Sequence, residues 1–151
     1  MKLVIQRVKQ ALVTVEGERI SEIGTGLLVL AGVSHSDTLF DARHLAHKTA
    51  KLRIFQDDEG KMNRSIEDVG GEVLAVSQFT LYGDCTKGNR PSYISAARPE
   101  QGEVLFNEYV QALEKLGFPP NTGKFGADMQ VALLNDGPVT ILLESTGRQK
   151  N

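Results

Sequence analysis

Residues 27–33 read Leu27-Leu28-Val29-Leu30-Ala31-Gly32-Val33, an apolar run with no polar position to turn toward water. At that length it predicts a strand buried on both faces, so any fold this chain adopts must cover both sides of that strand. The surrounding pattern supplies material to do so. Leu3, Val4, Ile5 and Val8 begin a β-type run that continues through Ala11-Leu12-Val13-Thr14-Val15, and Gly17 marks a turn into residues 19–23, a predicted hairpin. Ser36-Asp37 offers an N-cap for a helix over about 37–52. Arg53-Ile54-Phe55 predicts a short strand that ends in the acidic turn Gln56-Asp57-Asp58-Glu59-Gly60.

Residues 72–79 predict a second strong strand, which leads into residues 80–98, a stretch with no sustained periodicity. A loop that long in a small domain is functional or disordered more often than idle. Pro99-Glu100 opens a second helix with an apolar stripe at Val104/Leu105, Phe106, Val110, Leu113 and Leu116, closed by Gly117. Two last strands, 128–134 and 139–144, flank Asn135-Asp136-Gly137-Pro138. Two helices and about seven strands, mostly hairpin-connected, predict an α+β fold. Its mostly antiparallel sheet or partly closed β-barrel carries two helices packed on it, in a single domain over 1–151.

Composition narrows the function. A chain of 151 residues suffices for one domain with its own core. No run approaches the roughly 18–20 apolar residues of a membrane span, and Arg7 arrives too early for a secretory leader, so a cytoplasmic location without membrane association is expected. Cys85 is the single cysteine, which excludes an internal disulfide and a cysteine-based zinc site. His44 and His47 lack a third ligand nearby, no phosphate-binding glycine motif is complete, and neither metal nor cofactor is expected. Asn63-Arg64-Ser65 matches a glycosylation pattern by chance. A net charge of −2 argues against wrapping nucleic acid but leaves room for a small footprint on one end of an RNA.

Three segments could carry chemistry. Ser77-Gln78-Phe79-Thr80 clusters polar side chains and backbone N–H groups where a strand gives way to the long loop. Such a cluster could form an oxyanion hole, with Ser77 or Thr80 as a nucleophile only if a base stood beside it; a plain strand with an exposed polar face fits as well. Asn135-Asp136-Gly137-Pro138-Val139-Thr140 reads equally as a hairpin turn or as a rigid backbone probe built on a cis Gly-Pro bond. Lys87-Gly88-Asn89-Arg90-Pro91-Ser92 places two cations on the long loop, either as solvated surface or as a phosphate-contacting segment.

Taken together, Ser77-Gln78-Phe79-Thr80-Leu81, Asn135-Asp136-Gly137-Pro138-Val139-Thr140, the Gln6-Arg7-Val8 start and the 87–92 loop resemble the D-aminoacyl-tRNA deacylases over essentially the whole chain. The Ser-Gln-Phe-Thr form is the bacterial type, distinct from the Pro-Gln-Ala-Thr form of relatives that act on L-alanyl-tRNA. The resemblance implies hydrolysis of the ester joining a D-amino acid, or mischarged glycine, to the tRNA acceptor end. It implies a homodimer in which Gly137-Pro138 of one subunit completes the other's site and rejects L-residues. Asn135 belongs to that selecting segment and Arg7 holds its orientation. Ser77, Gln78, Phe79 and Thr80 then form the catalytic rim, with backbone N–H groups around Gln78 and Phe79 as oxyanion donors. Lys87 and Arg90 become candidate tRNA contacts. Thr80 as covalent nucleophile competes with attack by water assisted by the ribose 2′-OH. A nucleic-acid-binding module that does not turn over the ester, and a general small-ester hydrolase, are the alternatives from other classes.

Overall fold

A computed structural model describes residues 1–145; residues 146–151, counted in the predicted domain, lie outside the described residues. The chain runs β1 (Lys2–Val15), β2 (Glu18–Ile23), β3 (Gly26–Gly32), α1 (Leu39–Lys51), β4 (Phe55–Gln56), β5 (Met62–Arg64), β6 (Glu72–Ser77), α2 (Pro99–Lys115), β7 (Asn121–Thr122) and β8 (Gln130–Glu144). A 3-10 turn, Phe79–Tyr82, follows β6 directly. The main sheet has the order β2-β1-β3-β6-β7, with β8 on the other edge of β1. It curls nearly into a barrel: Asn121 Nδ2 donates to Glu22 O at 2.8 Å, and the Gly24 N–H donates to Glu72 Oε2 at 2.8 Å. The small β4–β5 hairpin, turning at the acidic residues 57–59, forms a separate two-stranded sheet.

The strand β3 is buried on both faces, as its composition predicts. Leu27, Val29 and Ala31 join one apolar cluster with Leu3, Ile5, Val73 and Ala75 and with Leu45 and Phe106 of the two helices. Leu28 points the other way, into the barrel, with Val8, Val13, Leu74 and Val76. The period of two along β3 and β6 thus separates a helix-facing layer from a barrel interior. In β1 both Arg7 and Val8 are buried and both Lys9 and Gln10 are exposed, at the register shifts against β8. The shift moves odd-numbered side chains from the helix side (Leu3, Ile5) to the barrel side (Ala11, Val13).

Several local expectations change. The strands β3–β6 and β6–β7 run parallel, so the chain is less hairpin-connected than its patterning suggests. Parallel neighbours need crossovers, and these contain α1 and α2, which is why both helices cover one face of the sheet. The helix α1 is capped by Thr38, whose N–H donates to Asp41 Oδ2 at 2.8 Å, in place of the expected Ser36-Asp37 cap. Asp37 is buried instead; it accepts from the Ser34 N–H at 2.7 Å and pairs with the Met1 ammonium. In α2 the core face is Leu105, Phe106, Tyr109 and Leu113, while Val104 and Leu116 stay exposed. Tyr109 can be buried because its hydroxyl meets Thr49 Oγ1 at 2.9 Å.

The segment at 128–144 changes most. It is one strand, paired with β1 from Gln130↔Thr14 at one end to Glu144↔Lys2 at the other. Between Val8↔Asn135 and Gln6↔Thr140, four residues of β8 (136–139) stand opposite Arg7 alone. The predicted hairpin turn is therefore a bulged excursion from a continuous strand.

Candidate active site

The parallel ladder of β6 with β3 ends at Ser77↔Ala31, and the Gln78 N–H makes one more bond, to Ala31 O at 2.8 Å. The chain then turns into the 3-10 helix at Phe79. Gly32 permits this close approach, since a Cβ there would lie 2.9 Å from the Gln78 carbonyl oxygen. The first N–H groups of a helical turn have no partner within it. Among the described residues the Phe79 and Thr80 N–H groups accordingly have no acceptor. Of the N–H groups expected around Gln78 and Phe79, that of Gln78 is thus bound to Ala31 O, and those of Phe79 and Thr80 are left.

These residues rim a cavity of about 750 Å³. Ser77, Gln78, Phe79 and Thr80 form one wall, Val33 and Arg98–Pro99 a second, and Phe125, Asp128 and Met129 of the β7–β8 connection a third. Gln78 Nε2 donates to Thr80 Oγ1 at 3.0 Å. Phe79, 58% exposed, packs edge-on against Tyr93 with ring centroids 5.1 Å apart. Tyr82, which ends the 3-10 turn, has Lys2 Nζ 4.7 Å from its ring centroid. Burial, aided by the Asp37 carboxylate, holds the Tyr82 phenol protonated well above the ordinary tyrosine range. Histidines are absent from the cavity lining, and Asp128, itself exposed, is its one carboxylate among the described residues. Sequence reasoning did not single out Tyr93, Arg98, Phe125, Asp128 or Met129, and it placed Asp128 and Met129 in a strand.

The long loop is ordered. Asp84 and Ser92 exchange backbone bonds of 2.8 and 2.9 Å, and Asp84 Oδ1 accepts from the Thr86 N–H at 2.9 Å. Those Thr86 donors hold the Asp84 carboxyl below its usual range. Lys87 and Arg90 stand exposed on the tip and do not line the cavity.

Gly137 and Pro138 are elsewhere. Their peptide bond is cis and both residues are exposed. Beneath them the Arg7 guanidinium is buried, donating from Nε to Asp136 O at 3.0 Å and from Nη1 to Ile54 O at 2.7 Å. Asp136 Oδ2 lies 3.5 Å from the same Nε. A Cβ on Gly137, at φ 134°, would sit 3.0 Å from Arg7 Nη2, so the excursion rests directly on the guanidinium. Arg7 is no solvated strand residue. The ladder rows set the two segments apart within one chain: Ser77 shares a row with Ala31, Leu3 and Leu143, and Asn135 one with Val8, Gly26 and Glu72. Five residues and three strand spacings separate them, roughly 17 Å along the strands and about 14 Å across.

The comparisons with known proteins decide the family. Residues 4–144 match the model described as D-Tyr-tRNA(Tyr) deacylase. The chain belongs to the D-Tyr-tRNA(Tyr) deacylase family. It is 57% identical over 151 residues to the D-aminoacyl-tRNA deacylase of Chloroherpeton thalassium, covering 99% of each chain. It is 58% identical over 145 residues to that of Halalkalibacterium halodurans, covering 96% of this chain and 99% of the relative. A solved structure named c-Myc DNA Unwinding Element Binding Protein superposes with a TM-score of 0.92 at 48% identity, over 97% of this chain and 99% of that one. A probable eukaryotic D-amino acid tRNA deacylase shares the fold, with a TM-score of 0.78 at 17% identity over 94% and 97% of the two chains. Membership of the deacylase family makes this chain a hydrolase that acts on the aminoacyl-tRNA ester.

Proposed function

We propose that the protein hydrolyses the ester of D-aminoacyl-tRNA, and of glycine mischarged to tRNA, while sparing L-aminoacyl-tRNA, and so proofreads translation in the cytoplasm. The observation that carries this reading is the free Phe79/Thr80 N–H pair at the mouth of a cavity whose lining lacks a histidine. A tetrahedral oxyanion would accept from those two groups without reorganisation. Thr80 Oγ1 already accepts from the Gln78 amide, which cannot act as a base. Water activated by the neighbouring ribose 2′-OH therefore fits the site better than attack by Thr80, and Ser77 serves to hold the substrate.

Selection would come from a second copy of the chain. Gly137 and Pro138 do not line the cavity that Ser77 rims, and they protrude as backbone over a fixed Arg7. Among the described residues the 15-residue strand β8 pairs only with β1, and it exposes Leu134 (52%) and Leu142 (74%) beside its open edge. A long apolar edge of that kind invites pairing with another chain. In the resulting homodimer the excursion of one subunit enters the partner's cavity, and its carbonyls clash with the side chain of an L-residue. Backbone atoms reject by configuration whatever the side chain, which suits an enzyme acting on many D-residues. Asn135 shapes this selecting segment, and Lys87 and Arg90 reach for acceptor-end phosphates.

A second reading, binding to nucleic acid without turnover, is favoured by the name of the 48% identical structure. One assay separates the two: the protein is incubated with D- and with L-tyrosyl-tRNA, and with D-tyrosyl-tRNA lacking the terminal 2′-OH. The deacylase reading expects fast loss of the D-ester alone and a severe slowing without the 2′-OH. Protection of the D-ester would establish the binding reading, and equal loss of both isomers would remove the backbone wall.

A further inference from the structure

The excursion in β8 takes the Val139 N–H off the ladder. Residues 136–139 lie off the β1 ladder, and Pro138 has no N–H, so the Val139 N–H needs an acceptor from outside the sheet. Asn135 Oδ1 supplies it at 2.8 Å, across the neck of the excursion. The same amide directs its Nδ2 to Val139 O at 3.4 Å and to Thr140 Oγ1 at 3.3 Å. From β1, Gln6 Nε2 donates to that Thr140 oxygen at 3.4 Å, and Gln6 is the ladder partner of Thr140.

We propose that Thr140, backed by Gln6, is a positioning residue for chiral selection, because its hydroxyl oxygen gives the Asn135 amide a further partner that holds it across the neck of the excursion. A flipped amide would set Nδ2 against the Val139 N–H, donor against donor, and would turn Oδ1 toward the Val139 carbonyl. The Val139 N–H and carbonyl set the orientation of the amide, and Thr140 Oγ1, accepting from Nδ2, adds to its hold. Arg7 grips Asp136 from below, so the two carbonyls between these anchors are held at both ends. The inference rests on the reading of Gly137-Pro138 as the selecting wall.

The test compares Thr140→Val, which keeps the shape and removes the oxygen, with Thr140→Ser, which restores it. Rates on D- and L-tyrosyl-tRNA are measured together with Tm. Thr140→Val is expected to lower the D-over-L ratio about tenfold, the scale of one lost hydrogen bond, by raising the L rate while the D rate and Tm hold. Thr140→Ser keeps the wild-type ratio, and Gln6→Leu lowers it less. An unchanged ratio in Thr140→Val overturns the proposal, as does a lost ratio that tracks a fall in Tm and is not rescued by serine. Deletion of Gly137 and Pro138 separates the two ideas. If the deletion abolishes discrimination while Thr140→Val does not, the wall stands and the clasp fails. If discrimination survives the deletion, the wall fails and the clasp with it.

Discussion

At the rim, Phe79 and Thr80 line a concave cavity, and among the described residues their two N–H groups are unbonded. At the excursion, Gly137 and Pro138 hold their backbone out from the surface, over a guanidinium that is itself buried. The first is a place where a strand changes into a 3-10 turn, so its donors are free because no earlier carbonyl is in reach. The second is a place where a strand leaves its ladder and returns, so its polar groups would be free but for Arg7 and Asn135. Donors at a cavity rim suit the stabilisation of developing charge, and a braced protrusion suits exclusion. That division of labour explains why neither segment looks complete alone.

The largest effect expected from this contrast is on chirality across subunits. A deletion of Gly137-Pro138 should hydrolyse the L-ester, and an excess of an inactive rim variant should suppress that leak by lending its intact excursion. Suppression after exchange of subunits, read as L-tyrosyl-tRNA half-life, supports a shared site; a leak that ignores the second protein puts the wall within one chain. At the rim itself, Phe79→Pro removes one N–H at a helical first position that tolerates proline. It should lower kcat on the D-ester by about 10²–10³-fold, whereas Phe79→Ala, which keeps the N–H, should lose far less. Equal losses in the two would assign the effect to the ring and its contact with Tyr93.

The smallest effect concerns the loop beside the rim. The Thr86 donors hold the folded Asp84 carboxyl below the usual aspartate range, so its contribution is fully present above that range and fades as pH falls through the lowered value. Amide exchange of residues 86–92 should therefore quicken below roughly pH 4 in the wild type. Asp84→Ala should show the quick exchange at every pH. Exchange independent of pH in the wild type would show that the Asp84–Ser92 bridge alone holds the loop.

Much of this was legible before any coordinates. The apolar run at 27–33 required two covered faces, and it has them in Leu27, Val29 and Ala31 on one side and Leu28 on the other. Both helices lie where periodicity puts them, and α2 begins at the expected Pro99. Ser77, Gln78, Phe79 and Thr80 do meet at one cavity rim. What misled was local ambiguity. Asn135-Asp136-Gly137-Pro138 has the composition of a turn, and only pairing with β1 on both sides of it reveals an excursion. Only the resemblance put Arg7 against the Gly137-Pro138 segment; its place in a strand gave no sign of that, because the carbonyls it serves, from Ile54 and Asp136, lie 47 and 129 positions away.

The sequence by itself therefore determined the buried strand, the helices, the family pattern and the residue types at both segments, since these depend on hydrophobic period and short motifs. Tertiary structure alone decided which N–H groups are free, that the Arg7 guanidinium is buried, and that the rim and the excursion stand at different ends of the ladder. Those properties depend on which distant backbone groups pair, and pairing over long separations leaves no periodic trace in a single chain.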